Sequence, residues 1–465
     1  MSMLLKLPFV VLFFAVTVFS QVPAIEPGVS QELAKWRAAH YSDVRYKLNL
    51  TLEKMSPVLK GTMEIRVGVR TLLSASAQGA EIPPIILDWR RIKGHEAKSI
   101  ISNVVINGTA VSPPSGDADR SVRAPVEERD EHLIFRDGVK LGENVIKLDF
   151  TSPILTSGSA ITRYIDKEDG AEYIYSLFVP SDASTAFPVL DQPDLKARFS
   201  LTLATPDTWR PDGTTLPDSR VNWKRISNTS GKDSLDTAFI GSSSKDIPYT
   251  TFEETKPIST YVFAFAAGPF ERVSEPPASA GGQSGGPSNW PAANAAGSDR
   301  TSIYVRRSQA AKFKPHAAEV FRLNREGIKY LETYFDYKFP FPKYDIVLIP
   351  EFPFGGMEHA GATYLRESAI IFPQEPTKSD HISRAVLIFH EAAHQWFGDT
   401  VTMKWFDDLW LKEGFANFMA YKAVDKIMPD ANAWKVFYER IKQPAYATDS
   451  TRGTTPIYQP IDNLN

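Results

Sequence analysis

Apolar and polar residues alternate with a period of two over much of the stretch from residue 41 to about residue 270. Two runs are clearest, with apolar positions Val44, Tyr46, Leu48, Leu50, Leu52 and then Met63, Ile65, Val67, Val69. Successive side chains of a strand point to opposite faces, so these runs predict strands with one buried face. Segments rich in Pro, Gly, Asp and Ser separate the runs, which indicates an antiparallel β-sandwich or sheet domain.

The pattern changes after residues 274–298, a segment rich in Gly, Ala, Ser and Pro. This segment has no apolar period, so we interpret it as a surface insertion to which no function is assigned. Residues 312–334 then show helical spacing, and the apolar run at residues 344–350 predicts a buried strand. The chain therefore passes from a strand-rich half to a half that mixes helices and strands.

Two histidines fall on one face of a mostly apolar predicted helix. His390 and His394 are four residues apart, so both imidazoles can reach one metal ion. Glu391 follows the first histidine, and its carboxylate can act on a water at that ion. Glu413 lies nineteen residues beyond His394, on a second predicted helix at residues 408–424, and can supply a third ligand. Two His and one Glu with a fourth position open is the arrangement of catalytic zinc sites.

An ordinary amphipathic helix with two packed or surface histidines is the alternative interpretation of this motif. The chain has only 8 His in 465 residues, which makes this spacing uncommon by chance. Imidazoles and a carboxylate within an apolar helix are costly to bury without a partner, and a metal supplies one. The chain has no Cys, whereas structural zinc sites usually include Cys ligands.

A second motif follows the predicted strand and reads Gly355, Gly356, Met357, Glu358, His359. The two glycines permit a close approach of the backbone to a ligand. A glycine pair alone is also typical of a plain turn, and on its own this motif favours the turn.

Composition excludes some partners, and the first residues suggest a destination. A net charge of −3 and 43% hydrophobic residues give no indication of binding to nucleic acid or to an anionic membrane surface. Lys6 precedes an apolar run at residues 7–19, and Val18 and Ser20 are the small residues expected before a cleavage site at Gln21. Residues 1–20 therefore predict a secretory signal peptide and a periplasmic or extracellular protein, with an uncleaved anchor as the alternative. No later segment is long and apolar enough for a stable membrane span.

The two motifs together resemble those of the zinc aminopeptidases of the alanyl/leucyl aminopeptidase family, gluzincins that include leukotriene A4 hydrolase. Further matches lie at residues 187–197, which are similar to the family's F-P-x-x-D-x-P-x-x-K-A, and at residues 259–265, which are similar to S-T-Y-x-x-A-F. The resemblance runs from about residue 41 to the last residue. It implies an N-terminal all-β sandwich or saddle domain (residues 21–270) and a thermolysin-like α/β zinc peptidase domain (residues 271–465).

The resemblance also implies roles for the motif residues. One Zn²⁺ would be held by His390, His394 and Glu413, and Glu391 would be the general base. Peptide substrates would lie as an added strand along the second motif, whose members Gly355, Gly356 and Met357 would border them. Glu358 would bind the free α-ammonium of the substrate. Asp408 is a candidate for orienting a ligand histidine, with a simple helix cap as the alternative.

Three departures from the family pattern bear on these roles. His359 replaces the usual Asn, which either packing or a second polar contact can explain. Leu177 and Val179 replace a Gln and a Glu, and that Glu normally helps to hold the substrate amine. The family's catalytic Tyr and C-terminal helical domain fall beyond Asn465, so we expect the catalytic domain to be incomplete here.

Three functional hypotheses follow. The leading one is an exported zinc aminopeptidase that acts on peptides. The second is a zinc peptidase with altered specificity, either an endopeptidase or an enzyme that acts on another amide. The third is a non-catalytic zinc-binding or peptide-binding protein, and leukotriene hydrolase-like chemistry is a minor alternative.

Overall fold

The structure is a computed structural model that describes residues 21–71, 81–111, 126–205, 223–236, 247–275 and 301–464. The predicted signal peptide at residues 1–20 lies outside the described residues. The predicted insertion lies outside them from residue 276 onward.

The described residues up to 275 are rich in strands and contain one α-helix, α1 (Gln31–His40). The strands are β1 (Val29–Ser30), β2 (Tyr41–Thr51), β3 (Val58–Val69), β4 (Ile85–Asp88), β5 (Ile100–Ile106), β6 (Thr109–Ala110), β7 (Val126–Arg129), β8 (His132–Phe135), β9 (Gly142–Pro153), β10 (Ile161–Ile165), β11 (Glu172–Ser176), β12 (Ala197–Ala204), β13 (Lys224–Ser227), β14 (Gly231–Asp236), β15 (Ile247–Phe252), β16 (Phe265–Gly268) and β17 (Phe270–Ser274).

The β-rich half is built on an eight-stranded sheet of order β14-β15-β12-β2-β3-β9-β5-β6. The two alternating runs of the sequence form β2 and β3, which pair antiparallel, and Leu48 and Ile65 on them are fully buried. β12 pairs parallel with β2, so the sheet is mixed rather than purely antiparallel. A four-stranded sheet (β10-β11-β16-β13) and a three-stranded sheet (β4-β8-β7) complete this half.

The described residues from 301 onward combine helices with a smaller sheet. The strands are β18 (Ser302–Arg306), β19 (Asp345–Ile349), β20 (Gly356–Met357), β21 (Ala362–Arg366) and β22 (Asn463–Leu464). The helices are α2 (Ala310–Phe335), α3 (Glu367–Ile370), α4 (Lys378–His394), α5 (Trp410–Ile427), α6 (Ala433–Phe437) and α7 (Gln443–Asp449).

The smaller sheet has the order β17-β18-β19-β21-β20, so β17 joins it although the sequence placed the domain boundary after residue 270. β20 lies at the edge of this sheet and pairs only with β21 among the described strands. The predicted strand at residues 344–350 corresponds to β19. The expected β domain followed by an α/β domain is confirmed, whereas the boundary itself stays a prediction.

Helix α4 has a capped first turn and a close contact with α2 near its last turn. Thr377 caps its first turn, because the Thr377 hydroxyl accepts from the Asp380 backbone N–H and the Asp380 carboxylate accepts from the Thr377 N–H. Near its other end, Phe389 packs against Gly327 of α2 so closely that a Cβ on Gly327 would lie 2.5 Å from the Phe389 ring. The small residue thus lets α2 and α4 approach each other where the histidine motif begins.

Buried polar contacts connect the two halves. The Arg306 guanidinium pairs with Asp166 at 2.5 Å and with Glu367 at 2.6 Å, and all three side chains are largely buried. The Asn228 amide donates to the backbone oxygens of Val262 and Ala360 at 2.9 and 2.8 Å. Ala360 lies two residues after Glu358, so the β-rich half supports the loop that carries the second motif.

Candidate active site

The crossing of α4 and α5 brings together the three residues that the sequence predicts as metal ligands. Nε2 of His390 lies 3.0 Å from Nε2 of His394. Glu413, in the first turn of α5, places Oε2 3.5 Å from the His390 nitrogen and 3.6 Å from the His394 nitrogen. Residues that are far apart in sequence thus converge on one point.

The donor set and its spacing fit a tetrahedral metal. Two ligand atoms at about 2.0–2.2 Å from a tetrahedral zinc lie roughly 3.3 Å from each other, close to the distances found here. Two imidazoles and one carboxylate are also a ligand set that suits zinc. Burial alone would raise the pKa of Glu413, but hydrogen bonds with His390 and His394 lower it. This carboxylate is therefore ionised and able to bind a cation.

A backbone carbonyl orients His394. Its Nδ1 lies 2.9 Å from the Phe397 oxygen, and a carbonyl can only accept, so Nδ1 carries the proton and the Nε2 lone pair faces Glu413. Asp408, which the sequence proposes for this task, instead accepts from the Trp410 indole at 3.2 Å. At His394 a carbonyl has this task, because the chain turns back after α4 and brings the Phe397 oxygen to the ring. The role of Asp408 beside a ligand histidine stays a prediction.

Glu391 is buried beside the ligand cluster and faces the edge strand. A Cβ built on Gly356 would lie 2.3 Å from Glu391 Oε1, so only glycine leaves room for this carboxylate. Burial raises the pKa of Glu391 to about 8; Glu358 and Glu413 act in the same direction, while His390 opposes them. The structure therefore gives Gly356 a steric reason that the sequence alone does not reveal.

A cavity of about 530 Å³ opens over these groups. The second motif lines it with Gly355, Gly356, Met357 and Glu358, together with the ligand residues and Glu391. Because β20 has no second partner among the described strands, an extended peptide can pair with it by main-chain hydrogen bonds. The structure thus brings the predicted ligands, the predicted base and the second motif as far as Glu358 to one cavity, whereas His359 and Asp408 do not line it.

Lys412 is a residue of this site that the sequence analysis missed. Its ammonium donates to Glu358 Oε1, and both side chains are almost fully buried. It also lies 3.3 Å from Oε1 of Glu413 and 4.7 Å from the centre of the Tyr261 ring. Burial alone would raise the pKa of Glu358, but the charge of Lys412 lowers it to about 2. The sequence does show that Lys412 precedes the predicted ligand Glu413. It does not show that Lys412 pairs with Glu358, because the two residues are 54 positions apart.

Of the departures at residues 177, 179 and 359, only the one at residue 179 lines this cavity. Val179 lines it, whereas Leu177 is half-buried against the hydrophobic core. His359 is fully buried, its ring lies edge-on to Tyr364 at 4.3 Å, and burial lowers its pKa to about 3. His359 is therefore neutral, and packing rather than a second polar contact explains it.

Gln395 fixes the loop of Glu358 against the end of α4. Its side-chain oxygen accepts from the Gly361 N–H at 2.9 Å, and its amide donates to the Glu358 backbone oxygen at 3.2 Å. The residue is fully buried. The two sequence motifs are thus held in register by one side chain.

Comparisons with known proteins agree with this geometry. Residues 42–262 match the Peptidase M1 N-terminal domain, and residues 320–465 match the Peptidase family M1 domain. The two matches cover most of the chain in the order expected, and the chain belongs to the M1 peptidase family. The resemblance proposed from the motifs is therefore confirmed at the level of the family.

Individual relatives carry aminopeptidase names. The chain is 30% identical over 368 residues to aminopeptidase N of Streptomyces lividans, covering 78% of this chain and 36% of that protein. It is 34% identical over 299 residues to "Probable aminopeptidase 1" of Sulfurisphaera tokodaii, covering 63% and 32%. It is 28% identical over 369 residues to the puromycin-sensitive aminopeptidase of Caenorhabditis elegans, covering 78% and 35%. The matched part thus spans about a third of the length of these curated relatives.

Over the part of the chain that the structure describes, no helix has both the length and the apolar content to cross a bilayer.

Proposed function

We propose that this protein is a zinc-dependent aminopeptidase that hydrolyses the first peptide bond of peptide substrates. The observation that carries the proposal is the convergence of His390, His394 and Glu413, whose facing atoms lie 3.0–3.6 Å apart, with Glu391 buried alongside. The membership in the M1 family and the names of the relatives support the same activity. One Zn²⁺ would supply Lewis-acid activation of the scissile carbonyl and of the attacking water.

Glu391 is proposed to move the proton. Its carboxylate accepts a proton from the attacking water and passes it to the leaving amine. Burial raises the pKa of this carboxyl, so the group can keep the proton that it accepts until the amine leaves. Gly356 leaves the space in which this carboxylate works.

The edge strand β20 is proposed to hold the substrate backbone. Gly355, Gly356 and Met357 offer main-chain groups, and the edge of β20 that no described strand covers lets the peptide pair as an added strand. Glu358 borders the same space and faces the first residue of the substrate. Such pairing fixes the scissile bond relative to Glu391.

Replacing Glu391 by Gln tests the proposal. We expect Glu391→Gln to lower the rate of peptide hydrolysis about 10²–10⁴-fold, the usual contribution of a positioned general base, while zinc content stays unchanged. Unchanged hydrolysis in the variant would contradict the mechanism. Zinc and peptide binding without hydrolysis in either protein would favour the non-catalytic hypothesis instead, because a binding protein does not need the base.

We also propose export, on the basis of the first twenty residues. Lys6 and the apolar run at residues 7–19 support this proposal. N-terminal sequencing of the protein from its native source should begin at Gln21. A retained Met1 or Ser2 would contradict cleavage of a signal peptide.

A further inference from the structure

We propose that Arg440 binds a carboxylate of the substrate at the far end of the cavity, about three residues beyond the scissile bond. The site therefore favours short peptides whose C-terminal carboxylate, or an acidic side chain, falls at that position. The inference rests on the proposed peptidase function and names a substrate class for the same site.

One face of α4 forms a wall of the cavity. Ser383, Leu387 and His390 recur at intervals of four and three residues, so their side chains share that face, and all three line the cavity. With a rise of about 1.5 Å per residue, Ser383 lies roughly 10 Å from His390 along the helix axis. The cavity therefore extends about two helical turns from the metal site.

Arg440 lies at the Ser383 end of the cavity and lines it. It belongs to a helical turn, Tyr438–Lys442, between α6 and α7. Its guanidinium donates to the Ser383 hydroxyl at 2.8 Å and to the Ser379 hydroxyl at 2.5 Å. The Ser383 hydroxyl in turn donates to the Ser379 carbonyl at 2.8 Å. A guanidinium has five N–H donors, so the two serines fix its position and leave donors for a carboxylate.

The charge of Arg440 has no carboxylate partner at ion-pair distance among the residues that the structure describes. Its neighbour Glu439 pairs with Lys435 at 3.8 Å. Asp380, in the first turn of α4, accepts from the N–H and the hydroxyl of Thr377 at 2.8 and 2.7 Å. A ligand carboxylate can therefore meet the guanidinium without displacing an acidic side chain.

The groups that face the first residue of the substrate lie at the other end of the cavity. Potential ligand atoms of Glu358, Glu391 and His394 all lie within 4.8 Å of one another. His394 is the last residue of α4, so this group is at the end of the wall away from Ser383. A peptide whose first residue faces Glu358 therefore continues past the metal site towards Arg440.

The length of this path sets the length of the peptide. An extended chain advances about 3.3 Å per residue, so three residues beyond the scissile carbonyl span about 10 Å. That span matches the distance along α4 between the metal site and Ser383. The C-terminal carboxylate of a tetrapeptide thus reaches Arg440, whereas that of a dipeptide falls about two residues short.

The test compares a tetrapeptide of one leucine and three alanines with its C-terminal amide. We expect kcat/KM of the zinc-loaded wild-type protein to be about 5- to 30-fold higher for the free acid, a range between an exposed ion pair and a bidentate one. The difference should fall mainly in KM, because the contact is remote from the reacting atoms. Equal values for acid and amide would overturn the inference.

Two variants assign the preference to Arg440. Arg440→Met should reduce it to less than about twofold and should change the hydrolysis of a leucine–alanine dipeptide less than about threefold. Lys442→Met is the matched control, because Lys442 carries the same charge two positions away and does not line the cavity. It should keep the wild-type preference. A preference that survives in Arg440→Met would overturn the inference.

A third peptide identifies the source of the carboxylate. It is the tetrapeptide amide with glutamate as its fourth residue. Recovery of most of the lost kcat/KM would support binding of any carboxylate at this position, and no recovery would support binding of the chain end alone.

Failure of the proposed function is distinguishable from failure of this inference. If the wild-type protein hydrolyses none of the peptides, calorimetric binding of the tetrapeptide acid and amide to the zinc-loaded protein replaces the kinetic measurement. Tighter binding of the acid that is lost in Arg440→Met would support the role of Arg440 even though the peptidase proposal had failed. Equal affinities in the wild-type protein would overturn it.

Discussion

At the scale of residues, the contact between Gly356 and Glu391 sets the geometry of the proposed base. A methyl group on Gly356 would overlap the carboxylate, because its Cβ would lie 2.3 Å from Oε1. We expect Gly356→Ala to displace Glu391 and to lower kcat about 10²-fold, since small misplacements at a reacting centre are costly. Steady-state kinetics with a free-amine peptide measure this effect.

Gly414 provides the matched control for that substitution. It lies in α5 next to Glu413, and an added Cβ would meet no atom within 4 Å. Gly414→Ala should leave kcat within a few-fold and stabilise the helix by about 1 kcal/mol. Equal kinetic effects of the two substitutions would contradict the steric account of Gly356.

Individual side chains also show how far the sequence could predict this site. His390 and His394 were predictable because a spacing of four residues is enough to place two side chains on one helical face. The partners of Lys412 and the carbonyl that orients His394 were not, since they depend on where α5 and the turn after α4 lie in space. Asp408 accepts from the Trp410 indole, and its role beside a ligand histidine stays a prediction.

At the scale of elements, the position of α4 depends on its close contact with α2. Gly327→Ala would put a Cβ 2.5 Å from the Phe389 ring, and Phe389 immediately precedes His390. We expect this overpacking to destabilise the fold by about 1–3 kcal/mol. Urea denaturation measures it, and a stability equal to or above that of the wild-type protein would show that α2 and α4 can separate without cost.

The elements themselves were largely predictable. Helical spacing over residues 312–334 corresponds to α2 (Ala310–Phe335), and the second metal helix, predicted at residues 408–424, forms as α5 (Trp410–Ile427). The predicted start of this helix at Asp408 was two residues too early, because Asp408 belongs to a short 3₁₀ turn, Phe406–Asp408, that precedes α5. Parallel pairing of β12 with β2 was not predictable, since alternation within a strand does not reveal the direction of its neighbour.

At the scale of the whole molecule, Arg306 and its partners Asp166 and Glu367 connect the β-rich half to the half that carries the predicted metal site. Replacing Arg306 by Met leaves Asp166 and Glu367 buried without their counter-ion. We expect a loss of about 3–5 kcal/mol in the free energy of unfolding at neutral pH. Arg322→Met is the matched control, because its pairs with Glu319 and Glu326 are partly exposed and contribute about 0–1 kcal/mol.

The effect of Arg306→Met should also depend on pH. Burial alone would raise the pKa of Asp166. Hydrogen bonds from Ser308 and the Glu168 N–H, together with the charge of Arg306, outweigh burial and lower this pKa. A depressed carboxyl pKa contributes stability above the pKa of the unfolded chain, about 3.9, which is lost as pH falls through the folded value. The stability difference between wild type and variant should therefore shrink below about pH 4. A difference that stays constant down to pH 3 would contradict this account.

The metal centre is the central claim, and zinc stoichiometry tests it most directly. Purified protein should be dialysed against zinc and then against metal-free buffer, and its metal content measured by mass spectrometry. We predict one zinc per chain for the wild-type protein, and far less than one for His394→Ala, in which the best-oriented ligand is lost. Zinc retained at one per chain in His394→Ala, or no zinc bound by the wild-type protein, would contradict the site described by His390, His394 and Glu413.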